Sequence, residues 1–322
     1  MNSPDPHPAV PEGYVLRPVP LADAEGITRL KRVVETALYG ESDVTLQDLR
    51  EEWALPRLDL PRDTWVVEDV RGLIVGYGLC WVESLPVIVV AEQTVHPEHR
   101  GHGLSELLLD LAEVRAAELA AAAGAGGSLD VWAAEGDASR RQLFELHGFA
   151  RIRTFLRLER ELTDPVEPPA WPAGVEARAF RRHRDEAAVH AAGEEAFRDH
   201  FRPSEMTLEE WLDFRFVRDD LDLELWLVAW DGDEVAGHVL CFETPIGGYV
   251  DELCVRRPWR GRGLGRALLL AACAELRRRG RPLAYLGVDS ENPTGAMRLY
   301  RSAGFSQRHQ ATCVYARELR PG

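Results

Sequence analysis

The stretch VRRPWRGRGLG, residues Val255–Gly265, decides the fold of the half of the chain that contains it. It continues an apolar, strand-like segment, Tyr249–Val255, and leads directly into an apolar, helix-like segment, Leu264–Arg279. Its closely spaced glycines let the backbone turn its amides toward one point, and the first turn of the helix adds partial positive charge there. The stretch therefore predicts a strand, a tight turn and a helix that together can hold a pyrophosphate.

Three arginines in and beside this turn, Arg260, Arg262 and Arg266, add full positive charges to the predicted phosphate site. The alternative is a tight turn that serves the fold alone. Rival phosphate motifs do not fit, because the sequence contains no Gly-x-x-x-x-Gly-Lys-Ser/Thr loop and a dinucleotide fingerprint would follow the first strand of a domain.

The chain repeats itself once, as two aligned pairs of segments indicate. TWVVEDVRGLIVGYGLCW (Thr64–Trp81) aligns with LWLVAWDGDEVAGHVLCF (Leu225–Phe242) at an offset of 161 residues. Further along, Arg100 aligns with Arg260 at an offset of 160, and LFELHGF aligns with LYRSAGF at an offset of 156. Offsets that drift by a few residues are typical of duplicated domains with small loop insertions.

A proline-rich segment, Thr163–Gly174, separates the two copies. Its four prolines disfavour both helix and sheet and stiffen a linker. We therefore predict a domain boundary near Pro165, with an amino-terminal domain over residues 1–165 and a carboxyl-terminal domain over residues 166–322.

Each copy has the same order of predicted elements: a short strand, a helix, a hairpin, a further strand, a Gly-rich turn, an apolar helix, another strand and a closing helix. The hairpin turns contain Arg71–Gly72 and Asp231–Gly232, and Asp-Gly between apolar runs is a strong hairpin signal. This order predicts the α/β (α+β) class, in which each domain has a mixed, mostly antiparallel sheet with helices on both faces.

Composition is consistent with two globular domains in the cytoplasm. At roughly 150 residues per domain, 322 residues correspond to about two domains. The formal charge of −15 argues against nucleic acid and anionic membrane as partners. Five cysteines without a Cys-x-x-Cys pair predict reduced thiols, and we expect neither a signal peptide nor a membrane span.

The motifs of the carboxyl-terminal copy fall in a fixed order: Val255, Arg260-x-x-Gly263-x-Gly265, Asn292, Tyr300 and Gly304-Phe305. This order resembles the GCN5-related N-acetyltransferase (GNAT) family, and both copies, nearly the whole chain, are covered by the resemblance. The tandem arrangement is similar to that of mycothiol synthase and a wider group of bacterial two-domain acetyltransferases. The resemblance implies acetyl-CoA as the acetyl donor and, as the acceptor, a primary amine of a small molecule, an antibiotic or a peptide.

The resemblance also implies which residues contact the coenzyme. In the carboxyl-terminal copy it places pantetheine along the strand and pyrophosphate on the turn: Leu253, Cys254, Val255, Arg260, Gly261, Arg262, Gly263, Leu264, Gly265, Arg266 and Asn292. The matching candidates in the amino-terminal copy are Val95, Arg100, Gly101, Gly103 and Ser105. No metal is expected.

Amine acetylation requires an acid for the departing thiolate and loss of a proton from the attacking amine. Tyr300 lies where the family's thiolate-protonating tyrosine lies, although a tyrosine at helical spacing can also be a core residue. For the base, Asp251 and Glu252 are candidates, and strand alternation predicts that only one of them faces the acceptor cleft. We favour Glu252, acting through a water, because Glu92 is its equivalent; a solvent-facing acid is the alternative.

The carboxyl-terminal copy departs from the family at Gly287, where a glutamate is common on the strand before Asp289. That departure gives more weight to Asp251 or Glu252, or to an acceptor amine that is already neutral.

The amino-terminal copy departs further from the family. Ser105 replaces the last glycine, Phe144 stands at the tyrosine position and Gly136 at the asparagine position. Phenylalanine cannot protonate a thiolate, so we predict that this copy is a scaffold without turnover, whether or not it binds acyl-CoA. Side by side, the copies would form a monomer that is an internal pseudo-dimer, or a weak homodimer. The alternative function is a non-catalytic acyl-CoA sensor.

Two further clusters invite a functional interpretation. His96, His99 and His102 resemble a metal site, but they span the Gly-rich turn of the amino-terminal copy and are predicted to be a solvated loop. In the carboxyl-terminal copy, an acidic stretch with Asp219, Asp220 and Asp222 is by default a solvated face; the other possibility is that one of these residues attracts a cationic acceptor.

Overall fold

The computed structural model describes residues 8–84, 87–124, 126–198, 200–202 and 206–319. The chain forms two compact units. The first, here the N-unit, comprises the residues up to Ile152 together with those from Thr312 onward. The second, the C-unit, comprises Arg153–Ala311. No helix in the described part of the chain combines the length and the apolar character that crossing a membrane requires.

Strands and helices alternate along the chain. The strands are β1 Tyr14–Pro18, β2 Thr64–Asp69, β3 Ile74–Ser84, β4 Ile88–Val95, β5 Gly127–Ala134, β6 Ala150–Glu161, β7 Val175–Ala179, β8 Trp226–Asp231, β9 Glu234–Glu243, β10 Gly248–Val255, β11 Leu283–Asp289, β12 Ser306–Gln307 and β13 Thr312–Leu319. The helices are α1 Ala24–Tyr39, α2 Leu46–Trp53, α3 Leu60–Asp63, α4 Leu104–Ala122, α5 Ala138–Leu146, α6 Glu186–Phe197, α7 Leu208–Arg215, α8 Leu264–Arg278 and α9 Ala296–Ser302.

Each unit contains a mixed sheet in which one neighbouring pair of strands is parallel. In the N-unit the strand order is β1-β2-β3-β4-β5-β13, and the parallel pair is β4 with β5. In the C-unit the order is β7-β8-β9-β10-β11-β6, the parallel pair is β10 with β11, and β12 also pairs with β6. The predicted fold class is confirmed, because both sheets are mostly antiparallel and are interspersed with helices.

The last strand of each sheet comes from the other half of the sequence. From Arg153 onward β6 belongs to the C-unit, where Phe155–Glu161 pair with β11, whereas β13 pairs with β5 along its whole length in the N-unit. The predicted boundary near Pro165, with domains 1–165 and 166–322, therefore does not coincide with the division of the folded chain. The physical reason is that backbone hydrogen bonds to a neighbouring strand, rather than the proline-rich segment, assign these two strands to their units.

Corresponding helices of the two units begin in the same way. Helix α2 begins with a capping box from Thr45 and Asp48, and α7 begins with one from Thr207 and Glu210. Reciprocal side-chain bonds of this kind satisfy amides that the first helical turn leaves without a partner. The duplicated design therefore extends to how equivalent helices begin.

The long helix α8 sets the position of the C-unit's Gly-rich turn. It buries an apolar face, including Leu264, Leu268 and Leu276, against the sheet. Gly280 ends the helix in a left-handed conformation with φ 76°, and the next amide donates to the Leu276 carbonyl at 3.0 Å. This is the Schellman arrangement, which closes the helix. The carboxyl end of α8 is thereby closed, and the Gly-rich turn connects its amino end to the end of β10.

Candidate active site

A wedge between β10 and β11 forms a cavity in the C-unit. The two strands are paired only at Gly248 with Ala284 and at Tyr249 with Tyr285. Beyond that point they enclose a cavity of about 510 Å³, lined by the carboxyl ends of both strands, the start of α8, the segment before α9, and aromatic residues from β6 and α6. We call this space the donor cavity.

The Gly-rich turn lines one side of the donor cavity. Gly261 and Gly263 have φ values of 74° and 86°, and a Cβ added to either would meet nothing within 4 Å. Backbone conformation, rather than lack of space, therefore calls for glycine at both positions. Gly265 is different, because its Cβ would come within 3.1 Å of Leu299 in the neighbouring helix α9.

The turn presents backbone amides of the kind that bind phosphate. Gly263 is the residue before the helix and carries no side chain to cap it, and the first intrahelical bond runs from Ala267 N–H to its carbonyl. The amides of the first helical turn have no intrahelical acceptor and carry the positive end of the helix dipole. This local geometry fits a pyrophosphate group.

The three arginines of the turn have different surroundings. Arg260 lines the donor cavity, where its Nε donates to Val255 O at 3.0 Å and its Nη2 to Ala196 O at 3.1 Å. Arg266 also lines the cavity and forms an ion pair with Glu167. Arg262 is exposed and is not among the residues that line the cavity.

Tyr300 and Asn292 also line the donor cavity. Burial raises the pKa of Tyr300 to about 12. Its hydroxyl makes no hydrogen bond to any other residue that the structure describes. Asn292 uses its Oδ1 to accept from Thr294 N at 2.9 Å and from the Thr294 hydroxyl, so this side chain stabilises the loop before α9.

A second cavity of about 290 Å³ adjoins the first and is called here the acceptor cavity. It lies among α6, the segment leading from it, α7 and β10, and aromatic side chains such as Trp211 and Phe214 line it. The residues that line both cavities are Phe197, His200, Phe201 and Asp251. Of these shared residues, Asp251 is the one that supplies a carboxylate.

A β-bulge places Asp251 at this junction. Along the β9–β10 ladder, Cys241 pairs with Val250 and Leu240 with Glu252, so Asp251 is the inserted residue. A bulge interrupts the alternation of side chains between the two faces of a sheet. As a result, Asp251 and Glu252 both line the acceptor cavity. The expectation that only one of these two acids faces the acceptor cleft is therefore wrong.

Four charged side chains form a chain of contacts beside the acceptor cavity. One guanidinium nitrogen of Arg215 pairs with Asp251, and the other lies 2.8 Å from Oε2 of Glu252. The second carboxylate oxygen of Glu252 lies 2.5 Å from Nε2 of His238, which is fully buried on β9. The order of contacts in space is therefore Asp251, Arg215, Glu252 and His238, so that acidic and basic side chains alternate.

Electrostatics fixes the protonation states at the buried end of this chain. Burial alone would raise the pKa of Glu252, but His238 and Arg215 outweigh it and lower this pKa to about 2. Burial alone would likewise lower the pKa of His238, but the neighbouring Cys254 and Glu252 raise it to about 10. At neutral pH Glu252 is therefore a carboxylate and His238 an imidazolium.

The other predicted coenzyme contacts on β10 divide by face. The side chains of Leu253 and Val255 line the donor cavity. Cys254 points to the other face, is buried, and donates a hydrogen bond from its thiol to Ala192 O. Leu264 and Gly287 also line the donor cavity. Apart from the Cys254 side chain and Arg262, the coenzyme candidates of the carboxyl-terminal copy thus lie around one cavity.

The N-unit keeps the shape of the Gly-rich turn. Gly101 and Gly103 have φ values of 78° and 80°, close to those of their counterparts, and α4 begins after Gly103. Val95, at the end of β4, is buried, and Ser105 lies in the first turn of α4. The backbone part of the predicted site is therefore common to both units.

The side chains around this N-unit turn differ from those in the C-unit. Phe144, at the position of Tyr300, is buried and packs against Phe149 and Tyr315. Gly136 is exposed. Arg100 lies 3.8 Å from Asp137, so it is paired within its own unit.

The two clusters that invited a functional interpretation lie outside both cavities. His99 Nδ1 lies 3.0 Å from the Tyr14 hydroxyl, and His96 and His102 flank His99, with ring centroids 5.6 and 6.5 Å from it. The carboxylates of the acidic stretch, Asp219, Asp220 and Asp222, line neither cavity.

Asp220 pairs with Arg218, and Asp222 pairs with Arg279.

Sequence reasoning missed Arg215 and His238 as residues of the site. A signal for His238 was present, since it is a histidine inside the apolar strand segment VAGHVLCF, where a buried polar group needs a partner. Nothing comparable marks Arg215, because it reaches the two carboxylates only through the folding of α7.

The C-unit thus combines a mixed sheet, a wedge beside the parallel pair of β10 and β11, and a Gly-rich turn that lines this wedge. The family model described as "Acetyltransferase (GNAT) family" matches residues 27–149 and 188–305. The chain belongs to this family of N-acetyltransferases, with one matching region in each half. The predictions of family, tandem fold and enzyme class are thus confirmed.

Similar proteins support the same assignment. Mycothiol acetyltransferase from Streptomyces scabiei is 35% identical over 236 residues, covering 72% of this chain and 73% of that protein. Mycothiol acetyltransferase from Thermobispora bispora is 36% identical over 227 residues, covering 67% of this chain and 72% of that protein.

Among solved structures, a GCN5-related N-acetyltransferase from Sphaerobacter thermophilus is 32% identical, with a TM-score of 0.78 and 98% of both chains covered. A tandem GNAT protein from the clavulanic acid biosynthesis pathway, at 19% identity, has a TM-score of 0.72, with 96% of this chain and 99% of that chain covered. The second likeness concerns the fold alone.

Proposed function

We propose that the protein is an acetyl-CoA-dependent N-acetyltransferase whose C-unit moves an acetyl group to a primary amine of a small molecule, a natural product or a peptide. One observation carries the proposal. The donor cavity brings together the Gly-rich turn, a tyrosine with a free hydroxyl among the described residues, and the carboxylate of Asp251. Binding, proton donation and proton acceptance are thus available around one space.

The residues around the donor cavity fit the coenzyme that the family uses. The amides from Gly261 to Arg266 would hold its pyrophosphate, with the side chains of Arg260 and Arg266 adding positive charge. The edge of β10 that faces the wedge, along Leu253–Val255, has backbone groups for the pantetheine. When bound, acetyl-CoA supplies an acetyl thioester, the activated form in which the acetyl group is transferred.

Tyr300 is the proposed general acid. A phenol whose pKa is about 12 remains protonated at neutral pH and can donate its proton to a developing thiolate in the cavity. Its position on α9, lining the donor cavity, supports this role.

Asp251, rather than Glu252, is the proposed acceptor of the amine proton. Asp251 lines both cavities, whereas Glu252 lines the acceptor cavity alone. Glu252 is also tied to two cations, and a carboxylate with a pKa of about 2 is a weak base. We therefore assign Glu252 to positioning the charged side chains and Asp251 to proton transfer.

The names of the similar proteins suggest which acceptor amine to test first. Curated relatives are named mycothiol acetyltransferases, so the first acceptor to test is the amine of a cysteine carried on a sugar. Aminoglycosides and peptide amino termini are the further classes of acceptor to include in the panel.

The test is mass-spectrometric detection of acetylated product from acetyl-CoA and a panel of such amines, with Tyr300→Phe beside the wild type. We expect kcat to fall about 10²- to 10⁴-fold in the variant, as loss of a general acid predicts. Tyr285→Phe is the matched control, because Tyr285 is buried, hydrogen-bonded to Thr244, and does not line the donor cavity.

Three outcomes are informative. Product from the wild type and from Tyr285→Phe, with little from Tyr300→Phe, supports the proposal. Undiminished activity of Tyr300→Phe contradicts the assignment of the acid. Tight binding of acetyl-CoA with no product across the panel favours a coenzyme-binding sensor instead.

A further inference from the structure

The bulge in β10 places two negatively charged side chains beside the same cavity. It turns two consecutive acids, Asp251 and Glu252, toward the same cavity. Both side chains are shielded from water, with 23% and 13% of their surfaces exposed. Two neighbouring carboxylates tend to share one proton, because the second negative charge is costly in a poorly solvated site. A protonated pair could not accept another proton readily at neutral pH.

Arg215 lies where it can prevent that sharing. Its two terminal nitrogens each contact one of the two carboxylates. A guanidinium is planar, always charged and able to make such a divided contact, which an ammonium group makes less well. The Arg215 side chain is itself only 15% exposed, so solvent weakens these ion pairs little.

We propose that Arg215 is a positioning residue for acetyl transfer, which bridges Asp251 and Glu252, keeps both carboxylates ionised, and so holds Asp251 ready to accept the proton of the acceptor amine. The inference rests on the proposed function, since it takes Asp251 as the proton acceptor. His238 also stabilises this arrangement, because its Nε2 contacts Oε1 of Glu252, whereas Arg215 contacts Oε2.

Other ionisable groups also face this chain of charges. From α6 and the segment after it, and from α9 and β10, they are His190, Glu194, His200, Arg202, Tyr300 and Cys254. His190 is engaged with Met206 O at 2.9 Å. Arg215 is the group whose two nitrogens contact both carboxylates.

Removal of the bridging cation has a distinctive consequence. Without it, Asp251 and Glu252 become a like-charged pair and retain a proton to higher pH. The loss of activity then depends on pH, being large where the pair is protonated and small where it is not. A role confined to stability would lower activity by the same factor at every pH.

Titration of Glu252 in the full-length protein tests the bridge without any acceptor. The δ-carboxyl of glutamate is labelled with ¹³C, and the Glu252 signal is assigned with Glu252→Gln. In the wild type we expect no titration of this signal between pH 4.5 and 8. In Arg215→Gln we expect its pKa to rise by about 1 to 3, as loss of an opposite charge predicts, and in Arg215→Lys by less.

Kinetics tests the consequence for catalysis. We expect the ratio of wild-type kcat/KM to that of Arg215→Gln to increase steadily as the pH falls from 8.5 to 4.5, and Arg215→Lys to restore most of the wild-type profile. Arg218→Gln is the matched control, because Arg218 is a buried arginine near the end of α7 that pairs with Asp220 and does not line either cavity. Its ratio to the wild type should not change with pH.

The results separate two kinds of failure. If Arg215→Gln has the wild-type Glu252 titration, or a kcat/KM ratio independent of pH, the inference is wrong. If Arg215→Gln does not fold, Arg215→Lys decides, because an unchanged profile and titration in that variant contradict the need for a bridging guanidinium. A wild-type chain that acetylates nothing contradicts the proposed function, and the Glu252 titration still decides whether Arg215 holds the pair.

Discussion

The N-unit and the C-unit are two versions of one design, and they differ most at the strand that leads into the Gly-rich turn. In the N-unit, β3 and β4 pair in unbroken register from Gly76 with Val95 to Val82 with Val89. In the C-unit one residue, Asp251, is inserted into the equivalent ladder. This bulge moves a carboxylate to the junction of two cavities. A single inserted residue can thus add a functional group to a fold without changing its topology.

The two units also balance the charge of their equivalent glutamates differently. In the N-unit the cation is Lys31 from α1, which pairs with Glu52 and lies 4.0 Å from Glu92. In the C-unit the corresponding helix has Gly193, where a Cβ would come within 3.0 Å of Glu252. There the cation comes instead from α7, as Arg215.

A further difference concerns the position that corresponds to Ala296. The alanine lines the donor cavity of the C-unit. In the N-unit the residue is Arg140, whose side chain lies near Asp137, and burial is the main cause that lowers its pKa. At this position the C-unit therefore has a small side chain, Ala296, beside its cavity, whereas the N-unit has a long, charged one, Arg140.

The largest expected effect is at the acid that only the C-unit has. Asp251→Asn should lower kcat about 10²- to 10⁴-fold, because an amide cannot accept the amine proton. Glu92→Gln, at the N-unit glutamate, should leave kcat within twofold of the wild type. Steady-state rates at saturating acetyl-CoA check both. Equal losses in the two variants would break the comparison and show that the N-unit takes part in turnover.

An intermediate effect is expected at the Gly-rich turns. Gly263→Ala and Gly103→Ala each force a Cβ into the left-handed region, at a cost of about 1–2 kcal/mol. We expect only Gly263→Ala to raise the KM for acetyl-CoA, by about tenfold, with the KM for the amine nearly unchanged. Thermal unfolding of both variants provides the control, since their stabilities should fall alike. A raised KM in Gly103→Ala would contradict a purely structural role for that turn.

The smallest expected effect is on how the stability of each unit depends on pH. The pKa of His238 is raised to about 10, so its stabilising contact with Glu252 is fully present below about pH 6.5 and is lost as the pH rises toward 10. The pKa of Glu252 is lowered to about 2, so its contribution is present above about pH 4.5 and is lost as the pH falls. The pKa of Lys31 in the N-unit is raised above 10.5.

The directions of these pKa shifts predict that the C-unit loses stability at a lower pH than the N-unit when the pH is raised. Between pH 6.5 and pH 9.5 we expect the protection factors of amides in β10, corrected for the intrinsic exchange rate at each pH, to fall while those in β4 stay nearly constant. His238→Gln should remove this difference, and its Tm should change less with pH, by a few degrees at most. An equal fall of the protection factors in both strands would show that the His238–Glu252 pair does not set the alkaline response.

Much of the site could be predicted from sequence because its determinants are local. Gly261 and Gly263 follow a strand and precede a helix, so chain geometry alone places their amides at one point. Tyr300 was singled out through the resemblance of its motif, with Asn292 and Gly304-Phe305, to that of the GNAT family. The repeat located the equivalent residues in the other half, including Phe144 at the tyrosine position.

The remaining features depend on contacts between distant segments. Strand alternation predicted opposite faces for Asp251 and Glu252, and the bulge overrode it because the β9–β10 register depends on both strands together. The proline-rich segment suggested the boundary at Pro165, but hydrogen bonding of β6 to β11 and of β13 to β5 divides the chain differently.

The sequence by itself determined the duplication, through the alignment of its two halves, and the Gly-rich turn, because glycines that adopt positive φ act over a few neighbouring positions. The family was indicated by the resemblance of its motifs. Only the tertiary structure decided which acid lies at the junction of the cavities and which cation neutralises the acidic pair. Those features arise where α7, β9 and β10 meet, and a pairing such as Arg215 with Asp251 and Glu252 has no signature in any one of these segments.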